Sequence, residues 1–293
     1  MRHAGFTVVI TALVLAACQQ PPDVELTHEG TETSLEVLPI VVPDTNLSLQ
    51  SVDSLAVLPE DQLRFGGQLL INNVTLDGGQ GRSSFVYARV FFADSVISMV
   101  GRMVGYHGMD LGTVALNGIA MIKVPHRIGV RRSFGHDTLV VRGVEYLADL
   151  SSSYQPNHQY VWTIAGGPLG TVTQSVESPG ELMVVSPTGG AVIPRNKDLL
   201  LQWAGGNGRL AIVISTVDPL TRRTKPLIEL RPRANTGRAL LPAKLLQQLP
   251  AQHRFYAFTF ILANRKDSVV VQQYAGRIIA QAAAVYTSTI ELR

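Results

Sequence analysis

Two places in this 293-residue chain set a histidine near a carboxylate, as acid–base chemistry requires: Tyr106-His107-Gly108-Met109-Asp110 and His136-Asp137. A neighbouring carboxylate orients an imidazole and stabilises its charged form, which a general base needs. Neither place supplies a third group, and a loop histidine facing water has the same local sequence. Asp137, Glu145 and Asp149 offer a second chemistry, that of a glycosidase pair, provided that folding brings two carboxyls within roughly 5 to 10 Å. Other templates fail. Gly-x-x-x-x-Gly-Lys has no match, and Gly81-Arg82-Ser83-Ser84-Phe85 misses the nucleophile elbow at its last position. The seven histidines show no His-x-x-x-His or His-x-His spacing, so no metal site is predicted and no cofactor is expected.

Cations carry the remaining signal. The runs His126-Arg127-Ile128-Gly129-Val130-Arg131-Arg132, Arg222-Arg223-Thr224-Lys225 and Arg231-Pro232-Arg233 offer Arg127, Arg131, Arg132, Arg222, Arg223, Lys225, Arg231 and Arg233 to phosphate groups of lipid or lipopolysaccharide. The alternative is a set of solvated loops. No aromatics are interleaved for base stacking, so no nucleic-acid partner is expected. Charge is also polarised. Residues 195–293 hold fifteen Lys and Arg against five acids, a balance of +10, while residues 19–65 hold nine acids against Arg64 alone, a balance of −8. Such polarity favours an anionic partner for the last third, or a contact within the chain.

These groups must be positioned by strands. The chain is 46% apolar and 16% charged with 26 Gly and 16 Pro, which predicts a globular all-β protein with under about a fifth of its residues helical. Gly67 to Leu76 and Phe85 to Asp94 flank Asp77-Gly78-Gly79-Gln80-Gly81 as a hairpin, and the second strand, apolar on both faces, should be central. In Asp94 to Met109 the apolar spacing at Val96, Met99, Val100 and Met103 fits either one helical face or a poorly alternating strand. Asn117-Gly118 is a tight-turn candidate, Trp162 alternates into a core, and Phe255 to Leu262 should be central or face another unit. Pro242 to Leu249 is the one predicted helix, short enough to cross between strands. Pro and Gly in Glu177 to Leu182 predict a boundary between two sandwich-like domains, residues 34–178 and 181–293.

The amino terminus carries an address. Met1, Arg2 and His3 lead into the apolar run Ala4 to Ala17, the anatomy of a secretory signal peptide and too short for a spanning helix. Leu15-Ala16-Ala17-Cys18 resembles the lipobox of bacterial lipoproteins, matching it at every position. The resemblance implies removal of residues 1–17, lipidation of Cys18 and attachment to a membrane. With Gln19 rather than an Asp after the cysteine, it further implies the outer membrane of a bacterial envelope. Cys18 is the only cysteine, so no disulfide is expected. Residues 18–33 are acidic and Pro-rich, and read as a solvated tether. Farther along, Ser186-Pro187-Thr188-Gly189-Gly190, Leu199 to Trp203 and Leu210 to Thr216 resemble the opening of bacterial immunoglobulin-like or fibronectin type III-like surface domains.

Together these features lead to the expectation of a lipid-anchored cell-envelope protein with a non-catalytic binding or scaffolding role. Its partners would be the membrane through Cys18, and anionic envelope components or another envelope protein. A glycan-binding lipoprotein and an envelope hydrolase using His107 or His136 are the alternatives.

Overall fold

The computed structural model describes residues 35–40, 66–99, 102–131, 137–220, 222, 224–269, 274, 276 and 278–293. Of these, 68% lie in strands and 3% in helix, so the protein is all-β. The chain forms β1 (Leu35–Pro39), β2 (Gly67–Asp77), β3 (Arg82–Met99), β4 (Arg102–Gly108), β5 (Gly112–Leu116), β6 (Ile119–Ala120) and β7 (Ile122–Arg131). It continues with β8 (Asp137–Asp149), β9 (Gln159–Gly167), β10 (Gly170–Glu177), β11 (Leu182–Ser186), β12 (Val192–Ile193), β13 (Leu199–Gly205), β14 (Arg209–Val217) and β15 (Thr224–Pro232). The last elements are β16 (Arg238–Leu241), α1 (Ala243–Gln248), β17 (Phe255–Val269) and β18 (Ile278–Leu292).

Among the described residues, eleven strands make one large mixed sheet in the order β1-β15-β14-β17-β18-β2-β3-β4-β8-β7, with β12 beside β18 and a further pairing of β3 with β8. Two small sheets, β10-β9-β5-β6 and β11-β13-β16, pack on it. Strand β18 explains how one sheet takes both. Its alternate residues Ile278, Ala280 and Ala282 share a core with Leu69, Ile71, Phe92 and the fully buried Trp162 of β9. Farther along the same face, Ala284, Tyr286 and Ile290 share a second core with Phe258, Phe260, Leu201 and Trp203. Period-two alternation thus lets one strand serve two sandwiches in succession.

The expected boundary at 178–181 falls between β10 and β11. Strands from either side of it share the large sheet through a parallel ladder of β18 with β2, from Ile278 opposite Gly67 to Ser288 opposite Asp77. A buried carboxylate reinforces the junction. Asp77 accepts hydrogen bonds from the Tyr286 hydroxyl at 2.7 Å, the Gly79 amide at 3.2 Å and Arg82 Nε at 3.3 Å. The turn after β2 also meets the turn before β12 so closely that a Cβ on Gly79, whose φ is +81, would lie 2.7 Å from Gly190 Cα.

The opposite face of the large sheet carries a third core of Val74, Ala211, Val213, Ile261, Ala283 and Val285. Asn72 and Thr259 are fully buried; Asn72 donates to the Tyr87 hydroxyl, and Thr259 and Thr287 share a hydrogen bond.

Local sequence accounts for much of this. Phe255 to Leu262 lies within β17, between β14 and β18, which explains why both of its faces are apolar. Within the stretch Asp94 to Met109, residues 94–99 form the last third of β3 and residues 102–108 form β4, and register shifts at Ala93/Ser95 and Ile97/Ser98 break the alternation that would have marked it as strand. Helix α1 lies where the sequence placed it. Pro242 occupies its extended N-cap, Asp198 Oδ1 accepts from the Ala243 amide at 2.7 Å, and Leu246 is buried. Arg195 satisfies the far end, donating to the carbonyls of Leu246, Leu249 and His253 at 3.0 to 3.3 Å.

Candidate functional site

The long hairpin of β3 and β4 brings His107 to a carboxylate, and that carboxylate is Asp94. His107 Nδ1 lies 3.0 Å from both Asp94 oxygens, while Asp110, three positions from His107, binds elsewhere. The antiparallel register places His107 opposite Ser95, and the Ser95 hydroxyl donates to the same Asp94 carboxylate at 2.8 Å. The pair is open to water, with side-chain exposures of 42% and 36%. Sequence reasoning missed Asp94 because the two residues are thirteen positions apart. The signal was the possibility that Asp94 to Met109 is itself a hairpin.

The carboxylates Asp137, Glu145 and Asp149 all lie on β8. Along one strand, four residues span about 13 Å and eight about 26 Å, so their backbone positions are too far apart for a glycosidase pair. Glu145 is instead paired across the sheet. Arg89 Nε of β3 donates to its Oε2 at 2.7 Å, and His126 Nδ1 of β7 lies 3.7 Å from the same oxygen. Burial pushes the Glu145 carboxyl up, and the contacts with His126 and Arg89 more than reverse this, leaving it below its ordinary value. At 3.7 Å the His126 contact is too long for a hydrogen bond, so Arg89 is the stronger partner. His126 sits at a register shift in β7, with its ring 4.5 Å from that of Phe91. It was read only as part of a basic run, and no local pattern marks it as a partner of Glu145.

Asp110 forms a third cluster. Lys123 Nζ donates to its Oδ2 at 2.6 Å, the Gly112 amide to Oδ1 at 3.0 Å, and the Tyr146 hydroxyl to Oδ1 at 2.8 Å. The Lys123 hydrogen bond foremost, then those from Gly112 and Tyr146, hold the Asp110 carboxyl at about 2. Burial, then the bond to Asp110, push the Tyr146 hydroxyl to about 12. This chemistry fixes the turn into β5: a phenol that stays protonated and a carboxylate that stays charged make a durable clasp. Among the described residues no group of three His, Cys, Asp or Glu is arranged to hold a metal ion, and no helix is long and apolar enough to cross a membrane.

The structure does not gather the expected anion-binding residues into one site. Arg127 is exposed on β7, at one edge of the large sheet, while Lys225, Arg231 and Arg233 belong to β15 and its exit, next to the opposite edge. Arg131 lies at the end of β7, in register with Asp137. Arg231 donates to Glu229 at 2.6 and 3.2 Å, so it serves a buried acid. Arg222 is exposed, with φ +55. Cys18 and the lipobox, the tether to residue 33, Arg132, His136 and Arg223 lie outside the described residues.

One feature was not anticipated. The outward face of the small sheet β11-β13-β16 is apolar where a sandwich normally presents polar groups to water. Met183, Val185 and Leu200 are 56%, 54% and 40% exposed. Their inward neighbours Val184, Leu199, Leu201 and Trp203 are buried, as the alternation around Trp203 predicts. Exposed apolar residues at alternate positions of LMVVS and LLLQW were legible as a strand apolar on both faces. Both tryptophans lie in cores, Trp162 at 0% and Trp203 at 4% exposure, so neither is a surface platform for a sugar. No family model and no curated protein matches the chain.

Proposed function

We propose that this chain is a lipid-anchored cell-envelope protein that binds or scaffolds other components without catalysing a reaction. The anchor is Cys18, attached through the lipobox-like Leu15-Ala16-Ala17-Cys18, and the outer membrane is the proposed location. One observation supports the non-catalytic part: two of the candidate carboxylates, Glu145 and Asp110, are tied into the fold. Glu145 is bound by Arg89, and Asp110 by Lys123, Gly112 and Tyr146. A carboxylate saturated by donors is a poor general base, because its charged form is the one being stabilised. The continuous sheet supports the scaffolding part, since it gives two sandwiches a shared and stiff backbone.

Growth with a labelled fatty acid tests the anchor. The wild-type chain should take up label and fractionate with membranes, and Cys18→Ala should do neither. Label retained on the Cys18→Ala chain would refute the assignment.

A further inference from the structure

Resting on the envelope reading, the unexpected apolar face points to how the body meets its membrane. Strands β11, β13 and β16 present outward Met183, Val185, Leu200, Leu240, Gln202 and Arg238, in a register that sets Leu200 beside Leu240 and Gln202 beside Arg238. These residues include no carboxylate. Its rim carries three cations against two carboxylates: Arg238 and Glu181 are exposed towards one end, and Lys197, Lys244 and Asp198 towards the other. The hydrogen bond from the Ala243 amide to Asp198 brings the loop of Lys197 and the helix of Lys244 together there.

The size of the face selects its occupant. Three strands about 4.8 Å apart and four to seven residues long cover roughly 200 to 330 Å². A stable protein interface takes about 800 Å² from each partner, so this face is too small to hold a protein by itself. A bilayer asks for less: apolar side chains at the headgroup boundary, flanked by cations for anionic lipid, with the anchor supplying a high local concentration. The balance of +10 over residues 195–293 has the sign for that surface.

We infer that the outward face of β11, β13 and β16 is a second membrane contact, laying Met183, Val185 and Leu200 against a bilayer surface rich in anionic headgroups. The anchor then sets where the protein is, and this face sets how the body lies.

The test uses residues 18–293 with Cys18→Ala, which keeps every described residue and removes the acylation site. It is sedimented with vesicles of phosphatidylcholine alone and of phosphatidylcholine mixed with phosphatidylglycerol. Binding at low salt should favour the mixed vesicles by about tenfold, and Met183→Ser, Val185→Ser and Leu200→Ser together should weaken it by about tenfold with circular dichroism unchanged. Arg238→Glu, which leaves the apolar residues in place, should weaken binding and flatten its salt dependence. No binding, equal binding to both vesicles, or full binding by the triple variant overturns the inference. A dimer that the triple variant dissolves also overturns it, by assigning the face to a second copy. Selective binding here with no fatty-acid label on the wild-type chain would sink the anchor and leave this face standing.

Discussion

Tyr286→Phe probes the joint between the two sandwiches with the least disturbance to packing. The ring stays, and the Tyr286 hydroxyl that donates to Asp77 at 2.7 Å is removed. A hydrogen bond to a charged group contributes about 1.5 to 3 kcal/mol. Asp77 keeps its Gly79 and Arg82 donors, so the expected cost is at the lower end, about 1.5 kcal/mol, or about 3–6 °C in Tm for a chain of this size. The cost should depend on pH. Burial raises the Asp77 carboxyl, and the bonds from Tyr286, Gly189, Gly79 and Arg82 outweigh it, so its folded pKa lies below the ordinary 3.8. Stability from a lowered carboxyl is fully present above the unfolded value and is lost as pH falls through the folded one. The difference between wild type and variant should therefore be constant from pH 7 to about 5 and shrink below about 4. Tyr286, raised to about 12 by burial and by Asp77, stays protonated throughout and adds no titration of its own. Denaturant unfolding at pH 7 and pH 3 measures this. The two cores hold one tryptophan each, so Trp162→Phe and Trp203→Phe backgrounds report on them separately. Both reporters should shift together, because β18 belongs to both cores. A transition that moves for one reporter and not the other, or a cost that is the same at pH 3 and pH 7, would refute the reasoning.

Leu201, fully buried, and Leu200, 40% exposed, are neighbours on β13 with opposite fates. Leu201→Ala should cost about 2–5 kcal/mol in denaturant unfolding, and Leu200→Ala should stay within about 0.5 kcal/mol. Carbon-detected titration should place Asp110 near 2, held there first by Lys123, and Lys123→Met should return it towards 3.8. Glu291, bound by Arg254 and Arg293, should likewise titrate near 2.

Local features of the fold were legible and distant ones were not. Alternation placed β9 and β13, apolar runs placed the first part of β3 and of β17, the glycine-rich turn at Asp77 to Gly81 marked the end of β2, and Pro242 marked α1, because each signal lies within a dozen residues. The β18–β2 ladder joins residues that share no local pattern, so nothing near Gly67 signals Ile278. The same limit governed the candidate site. His107 was found through its neighbours and matched to Asp110, whereas strand pairing gives it Asp94. The basic runs were visible as runs, but strand order separates them to opposite sides of the large sheet. The apolar outer face could have been seen in LMVVS and LLLQW had both faces of those strands been weighed, and not only the one bearing Trp203.

The β18–β2 ladder also bears on how the protein reaches its folded state. Gly67 and its partner Ile278 are 211 positions apart, so β2 can pair with β3 early and must then wait for its other neighbour. Until it arrives, β2 presents an open edge carrying Leu69, Leu70, Ile71 and Val74, all fully buried at the end. An unpaired apolar edge of that length is a template for sticking to another chain. Loop closure over such a distance makes final assembly slow, and the exposed interval long. A chain folding this way depends on being kept apart from its copies, and its yield on expression should fall with concentration more steeply than its finished stability suggests.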